Sequence, residues 1–175
     1  MADEKEMKAE APTKISLVIP CYNESSRIDQ MLNGVKDFSQ QNKFPFEWIV
    51  VNDGSSDDTV QKIESNSFYQ TEKQNGRAQI ISLTKNSGKG FALKAGVMTA
   101  NGSHILTLDA DMSSRPTEIN QWLAKHQGKF PASTILIGSR EHKDSKITEL
   151  PMRRRLGRVF NFFVRMLTPL SQHDT

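Results

Sequence analysis

The sequence lacks the features that mark secreted, disulfide-stabilised and membrane-spanning chains. Its one cysteine, Cys21, excludes an internal disulfide and a zinc site built from cysteines, and it fits a reducing compartment. No apolar run approaches the roughly 18 residues that a membrane-spanning helix requires. Residues 1–13 are polar and partly acidic, without the basic start and apolar middle of a signal peptide. We expect residues 1–13 to be a disordered lead-in and residues 14–175 to form one folded domain.

Positive charge is concentrated near the C-terminus. The chain has 175 residues and a formal net charge of +3, and residues 140–175 contain eight Lys and Arg against four Asp and Glu. Residues 152–167 carry apolar side chains at helical spacing, with Arg154, Arg158 and Arg165 opposite them. This pattern is typical of a packed helix with a solvated basic face, or of a helix lying on an anionic membrane surface. Charge alone does not choose among nucleic acid, anionic lipid and a phosphorylated substrate.

Short apolar runs alternate with segments of helical periodicity. The apolar runs predict buried strands at 15–19, 48–51, 79–83, 104–108 and 134–137. Helices are predicted at about 25–38, 57–65, 89–100 and 116–126, the last beginning with Pro116. The alternation predicts an α/β fold with a Rossmann-like, mostly parallel, doubly wound sheet flanked by helices. In such sheets, ligands bind beyond the carboxyl ends of the strands.

Two carboxylates, Asp109 and Asp111, follow the fourth predicted strand. Because alternate residues of a strand point to the same side, both carboxylates can face one ligand beyond its end. A hard cation such as Mg²⁺ takes few protein carboxylates and completes its shell with water and phosphate oxygens, so the pair favours a diphosphate site. The alternative is that these residues only cap the following helix.

Two further strand ends carry polar residues. At residues 20–24, Tyr22 can stack on a base, and Asn23 or Glu24 can hydrogen-bond the base or cap the next helix. At residues 52–59, Asp53 can lie against a base N–H while later Asp and Ser residues open a helix. A turn followed by a helix cap explains part of this second segment without any ligand.

A glycine-containing loop at residues 86–90 enters a predicted helix, where exposed N–H groups and Lys89 can meet phosphate. The loop is not a P-loop, because Leu83 stands where that motif needs its first glycine and Gly90 follows Lys89. It is not a dinucleotide fingerprint either, because Leu93 occupies the third glycine position.

In order and spacing, these segments resemble the family 2 glycosyltransferases with a GT-A fold, over nearly the whole chain from residue 14. Within that family the sequence is most similar to polyprenyl-phosphate transferases of the dolichyl-phosphate β-glucosyltransferase type. The finer likeness lies in residues 137–140, in the basic segment 152–167 and in the terminal His173, Asp174 and Thr175. Relatives of this type continue past Thr175, so we expect the GT-A domain to be C-terminally incomplete.

The resemblance implies a site for a UDP-sugar donor. Asp109 would hold the ribose or the water shell of the metal, and Asp111 would coordinate Mg²⁺ or Mn²⁺ at the diphosphate. Asp109 and Asp111 are thus the two residues implied at the metal. Asn52 stands where many members have a first Asp, and Ser113 stands where mannosyl-phosphate transferases often have Gln, which argues against GDP-mannose. The residues implied around the nucleotide are Pro20, Tyr22, Glu24 and Asp53, with Lys89 nearby.

The resemblance also implies the acceptor and the reaction. Arg140, together with Arg153 or Arg154, would grip the phosphate of a polyprenyl or dolichyl phosphate, and the implied catalytic residues are Asp111, Arg140 and Asp174. The reaction would transfer a sugar, glucose by resemblance, with inversion at the anomeric carbon. The expected location is cytoplasmic, peripheral at the cytoplasmic face of a membrane.

Three alternatives remain at this point. One is a truncated, non-catalytic module that binds a nucleotide sugar. Another is a family 2 transferase with a different donor, GDP-mannose or UDP-N-acetylglucosamine, or a different acceptor. The third, a basic nucleic-acid-binding protein, is disfavoured because nucleic-acid binding does not require Asp53, Asp109 and Asp111 at strand ends.

Overall fold

The computed structural model describes residues 13–126 and 133–136 of the chain. These ranges lie in two structural units that divide between Phe130 and Pro131, and every element named below belongs to the first. The elements in chain order are β1 (Ile15–Cys21), α1 (Ile28–Gln41), β2 (Phe46–Asn52), α2 (Thr59–Ser65), α3 (Ser67–Gln74), β3 (Ala78–Ser82), α4 (Lys89–Thr99), β4 (His104–Thr107), a 3₁₀ turn (Pro116–Glu118) and α5 (Ile119–Lys125).

The four strands form one sheet in the order β3-β2-β1-β4, and every neighbouring pair is parallel. In the register, Ile15 lies opposite both Phe46 on β2 and His104 on β4. The chain leaves β1 for β2 on one side and later returns to place β4 on the other. The strand order therefore reverses between β1 and β4, which is where open α/β sheets bind their ligands.

Helices cover both faces of the sheet because successive strand residues point to opposite sides. Leu17 and Ile19 of β1 pack in a cluster with Val35 and Phe38 of α1. On the other face, Ile49 and Val51 of β2 pack with Ala92 of α4. This is the predicted doubly wound α/β arrangement, confirmed for the residues that the structure describes.

Helix α4 lies close against the sheet at a glycine. A Cβ placed on Gly96 would lie 2.4 Å from Cγ1 of Val18 and 2.9 Å from Cγ2 of Val51. Distances this short do not occur between packed carbon atoms, so any side chain at this position would force Val18 and Val51 to move.

A buried carboxylate connects the amino ends of β1 and β2 to the loop before β4. Oε1 of Glu47 accepts hydrogen bonds from Ser16 Oγ at 2.6 Å and from the Asn101 N–H at 2.6 Å, while Oε2 pairs with Lys14 Nζ at 3.0 Å. Burial acts to raise the pKa of Glu47, but these hydrogen bonds and the charge of Lys14 outweigh it and hold the pKa below its ordinary value. The ionised carboxylate is therefore the form that stabilises this end of the sheet.

Several predicted boundaries differ from the structure. Helix α1 begins at Ile28 rather than 25, α2 begins at Thr59 rather than 57, and the helix predicted for 116–126 starts as a 3₁₀ turn with Pro116 in its first positions. The predicted strand 134–137 is wrong for residues 134–136, which have no strand structure, and Ile137 lies outside the described residues. Of the predicted lead-in, only Thr13 is described.

Helix α3 was not predicted. Asn66 caps it, because its Oδ1 accepts hydrogen bonds from the N–H groups of Phe68 and Tyr69. None of the helices in the described part of the chain combines the length and the hydropathy needed to cross a membrane.

Candidate functional site

A cavity of about 360 Å³ opens at the carboxyl end of the sheet. This volume lies in the range of small-molecule binding sites. The residues that line the cavity are Pro20, Cys21, Tyr22, Glu24, Asp53, Asn86, Gly88, Lys89, Asp109, Ala110 and Asp111. The structure thus brings together every donor-side residue predicted from the sequence, and their individual roles remain predictions.

The cavity forms where β1 continues beyond the end of β4. Along β1 the backbone groups point alternately to its two neighbours: the Val18 carbonyl accepts from Leu108 on the β4 side, and the Cys21 carbonyl accepts from Asp53 on the β2 side. The backbone nitrogen of Pro20 faces the β4 side, but β4 ends before this point. Proline has no N–H to donate, and at this position the sheet needs none.

The loop after β1 is held by the loop after β2. The Asn23 N–H donates to Ser55 Oγ at 3.0 Å, and Asn23 Oδ1 accepts from the Ser56 N–H at 2.8 Å. The Glu24 N–H donates to Thr59 Oγ1 at 2.9 Å. Neither Asn23 nor Glu24 caps α1, whose cap position is Arg27 without a side-chain hydrogen bond, so the capping alternative is wrong for this loop.

Tyr22 and Glu24 are the side chains of this loop that reach the cavity. The Tyr22 residue is 46% exposed, which leaves a ring face for a ligand to stack on. The Glu24 carboxylate lies 3.3 Å from the Nε of Arg27, a local ion pair between residues three apart in the chain.

Asp53 connects the end of β2 to the glycine-containing loop. The residue is 3% exposed, and its two carboxylate oxygens accept the backbone N–H groups of Ser87 at 2.7 Å and Gly88 at 2.8 Å. The predicted contact of this carboxylate with a base N–H did not include these two partners. Because each oxygen has a second lone pair, contact with a base remains compatible with both bonds.

The remainder of residues 52–59 forms the turn and helix start that were considered as the alternative. Asn52 Oδ1 accepts from the Ser55 N–H at 2.9 Å, which closes a turn after β2. Asp57 Oδ1 accepts from the N–H of Thr59, the first residue of α2, at 3.1 Å. Local structure therefore accounts for these polar residues, and Asp53 is the carboxylate of the segment that lines the cavity.

Lys89 is the first residue of α4, and its Nζ lies 2.5 Å from Oδ1 of Asp109. Both side chains are largely exposed, so the pair contributes little to stability and is readily exchanged for another charge. The N–H groups of Lys89 and Gly90 start the helix and, among the described residues, make no hydrogen bond. They carry the positive end of the helix dipole at the cavity.

The acidic pair lies in a turn and not in an extension of β4. The strand ends at Thr107, so the expectation that strand alternation aligns Asp109 and Asp111 is wrong. The Met112 N–H instead donates to the Asp109 carbonyl at 3.0 Å, and Asp111 Oδ1 accepts from the Ser113 N–H at 2.9 Å. This tight turn directs both residues to the cavity.

The helix-capping alternative is also wrong for this pair. The following 3₁₀ turn has Arg115 at its cap position, without a side-chain hydrogen bond. Within residues 13–126 and 133–136, no group of three or more His, Cys, Asp or Glu forms a closed metal cage. Asp109 and Asp111 thus offer two carboxylates and an open arrangement, which suits a hard cation that keeps water and phosphate ligands.

The cavity lining is predominantly acidic, with the carboxylates of Glu24, Asp53, Asp109 and Asp111 against the ammonium of Lys89. Cys21 also borders it. Burial, and secondly the charge of Glu24, raise the pKa of the Cys21 thiol to about 12. The thiol is therefore protonated at neutral pH and is not a nucleophile.

The acceptor-side residues Arg140, Arg153, Arg154 and Asp174, with the basic segment 152–167, lie outside the described residues. Two residues were not predicted from the sequence: Gln30, which contacts the acidic turn from α1, and Met112, which lies in the turn and packs against α1. Gln30 Nε2 donates to the Asp111 carbonyl at 2.6 Å. A glutamine in the first turn of an amphipathic helix carries no sequence signal that would single it out.

Comparison with known proteins agrees with this geometry. The family model "Glycosyl transferase family 2" matches residues 16–174. A dolichyl-phosphate beta-glucosyltransferase of Trichomonas vaginalis is 32% identical over 169 residues, which cover 91% of this chain and 49% of the relative. The dolichyl-phosphate beta-glucosyltransferase of Mus musculus is 31% identical over 177 residues, covering 95% and 54%. The chain spans about half the length of the curated relatives it matches.

Solved structures show the same fold. The mannosyltransferase PcManGT from Pyrobaculum calidifontis, in complex with GDP-Man and Mn²⁺, superposes with a TM-score of 0.53 at 24% identity, covering 66% of this chain and 33% of that chain. TarS 1-349 of S. aureus, in complex with UDP-GlcNAc, gives a TM-score of 0.50 at 26% identity, covering 65% and 32%. The parallel sheet, the cavity at its point of reversal and the match over residues 16–174 lead to one assignment: the chain belongs to glycosyl transferase family 2 and has the GT-A fold.

Proposed function

We propose that this chain is an inverting glycosyltransferase that moves a sugar, glucose, from a UDP-sugar to a polyprenyl or dolichyl phosphate. The observation that carries the proposal is the cavity at the reversal of strand order. It gathers an exposed aromatic ring, two carboxylates near it, the start of α4 and an acidic turn. The names of the similar glucosyltransferases support the choice of glucose and of a dolichyl phosphate acceptor.

The nucleotide would occupy the side of the cavity formed by the loops after β1 and β2. The exposed ring of Tyr22 is a stacking surface for the uracil. Glu24 and Asp53 offer carboxylate oxygens that accept hydrogen bonds from the uracil and the ribose, and Pro20 lines the cavity beside them. Hydrogen-bond acceptors suit uracil because its ring N–H is a donor.

The diphosphate requires positive charge that this acidic cavity does not itself supply in full. Lys89 and the N–H groups at the start of α4 provide one part. Asp109 and Asp111 fit a divalent cation, Mg²⁺ or Mn²⁺, which when bound neutralises the diphosphate leaving group. An acidic site thus becomes complementary to a dianionic ligand only when the cation accompanies it.

The reaction needs no strong general base. A phosphate monoester has a second pKa of about 6 and is largely a dianion at neutral pH. One of its oxygens attacks the anomeric carbon and forms the new C–O bond, the C–O bond to UDP breaks, and the electron pair leaves with UDP. The Lys89 ammonium stabilises that departing charge, and attack opposite the leaving group inverts the anomeric configuration.

On the acceptor side, Arg140 with Arg153 or Arg154 grips the lipid phosphate through paired N–H donors, and Asp174 orients the acceptor. The basic segment 152–167 rests on an anionic membrane surface, at the cytoplasmic face. These roles follow from the resemblance of the sequence to its family.

Calorimetric titration of UDP-glucose with and without Mn²⁺ tests the donor site. Binding is expected to depend on Mn²⁺ and to be lost in Asp111→Asn. The matched control is Asp37→Asn, the same substitution at an exposed position of α1, and it should bind as the unaltered chain does. GDP-mannose and UDP-N-acetylglucosamine, titrated in parallel, decide the donor.

Incubation with UDP-glucose and a polyprenyl phosphate then tests transfer. Formation of the glycosylated lipid phosphate supports the enzyme, and donor binding without transfer supports the non-catalytic module. Binding of none of the three nucleotide sugars, or equal binding by Asp111→Asn and Asp37→Asn, contradicts the proposed donor site.

A further inference from the structure

The acidic turn is attached to helix α1 by a contact between distant parts of the chain. Gln30 Nε2, in the first turn of α1, donates a hydrogen bond of 2.6 Å to the carbonyl of Asp111, which lies 81 residues later. This bond holds the backbone of Asp111 to α1. The Ser113 N–H, at 2.9 Å from Oδ1, restrains the carboxylate itself.

Met112 provides the second attachment. Its φ of 50° lies in the left-handed region, which an L residue with a side chain adopts only when its surroundings hold it there. The Met112 side chain is buried against α1, where a Cβ on Gly34 would lie only 3.0 Å from its Cγ. The Met112 side chain therefore packs on α1 at Gly34, where the helix has no side chain to obstruct it.

We infer that Gln30 and Met112 are positioning residues for Asp111. They hold the turn of residues 109–113 against α1 and so fix the direction of the Asp111 carboxylate, whose Oδ2 makes no hydrogen bond within the described residues. A carboxylate held in place before the ligand arrives binds a cation more tightly, because less ordering accompanies binding. This inference rests on the proposed function, in which Asp111 holds the divalent cation.

The test removes the hydrogen bond while keeping the shape of the side chain. Gln30→Met retains the length of the residue without an N–H donor, and Gln40→Met places the same substitution at an exposed position of the same helix. Mn²⁺ binding is measured by electron paramagnetic resonance of the free ion in the presence of UDP. We expect Gln30→Met to weaken Mn²⁺ binding about fivefold, the effect of one hydrogen bond, with Gln40→Met unchanged.

Two further readouts separate positioning from a general loss of structure. UDP affinity in EDTA and the thermal midpoint should be unchanged in Gln30→Met. Amide hydrogen exchange at Met112 and Ser113, whose N–H groups close the turn, should accelerate severalfold in Gln30→Met and not in Gln40→Met. Met112→Gly, which tolerates the left-handed backbone but lacks the buried side chain, should show the same faster exchange and weaker Mn²⁺ binding with unchanged UDP affinity in EDTA, but with a lower thermal midpoint because a core side chain is lost.

The outcomes are distinct. Equal Mn²⁺ binding and equal exchange in Gln30→Met and Gln40→Met overturn the positioning role. A parallel loss of Mn²⁺ binding, metal-free UDP binding and thermal midpoint also overturns it, because Gln30 would then serve the fold in general. Absence of Mn²⁺ binding in the unaltered chain contradicts the metal in the proposed function, and the exchange measurement then decides the positioning role alone.

Discussion

Replacing Asp53 by Asn tests whether this carboxylate holds the loop that leads into α4. The aspartate is buried, and each of its oxygens accepts one backbone N–H, from Ser87 at 2.7 Å and from Gly88 at 2.8 Å. An asparagine side chain has one accepting oxygen, and its NH₂ group would face the other N–H. The substitution therefore removes one charge-assisted hydrogen bond and leaves a donor without a partner.

The magnitude follows from that count. A hydrogen bond to a charged group contributes about 1.5–3 kcal/mol, so the free energy of unfolding should fall by about that amount. For a chain of this length, each kcal/mol lowers the thermal midpoint by about 2–4 °C, which gives a fall of about 3–12 °C. Amide exchange at Ser87 and Gly88 should accelerate in the same variant, because their acceptors are weakened.

The assay is urea and thermal unfolding followed by circular dichroism, with Asp58→Asn as the control. Asp58 lies in the same loop as Asp53, between β2 and α2, but it is exposed and pairs with Lys62 at 3.6 Å. Its substitution should therefore change the free energy of unfolding by less than about 0.5 kcal/mol. If Asp53→Asn unfolds at the same urea concentration as Asp58→Asn, the two hydrogen bonds do not hold the loop and the reasoning fails.

Three other substitutions test the fold and the site. Because the pKa of Glu47 is lowered in the folded state, the ionised carboxylate stabilises the fold fully above its ordinary pKa of 4.5, and this contribution is lost as the pH falls through the lowered pKa. Between pH 6 and pH 3, the free energy of unfolding in urea should therefore fall less in Glu47→Gln than in the unaltered chain. Equal falls in the two proteins would refute this. Gly96→Ala forces a Cβ against Val18 and should lower the free energy of unfolding by about 1–3 kcal/mol. Gly90→Ala is the control, because a Cβ there meets nothing within 4 Å and should not lower it. Equal urea midpoints for the two variants would contradict the close packing of α4. Lys89→Met should weaken UDP binding about tenfold in titration calorimetry while changing the free energy of unfolding by less than about 1 kcal/mol, because its ion pair is exposed; unchanged UDP affinity would remove Lys89 from the donor site.

Local pattern was enough to predict the alternation of strands and helices. Runs such as residues 15–19 and 48–51 are almost wholly apolar, with Ser16 as the one polar residue, because a parallel strand is buried on both faces, and this property is visible without any tertiary contact. Helix α3 escaped prediction because its buried face includes Glu72, whose carboxylate accepts two hydrogen bonds from Arg77 at 2.8 and 2.7 Å. A charged residue at a core position hides the amphipathic pattern.

The order of residues along the chain already shows which side chains follow the strand ends, and parallel strands bring those ends to one edge. It therefore determined that Tyr22, Asp53 and Asp109 lie around one cavity. Their partners depend on packing between distant segments: Asp53 binds a loop 34 residues away, and the backbone of Asp111 is held from α1, 81 residues earlier. The physical reason is that periodicity is a local property of the chain, whereas these hydrogen bonds depend on how the sheet, the helices and the turns pack in three dimensions.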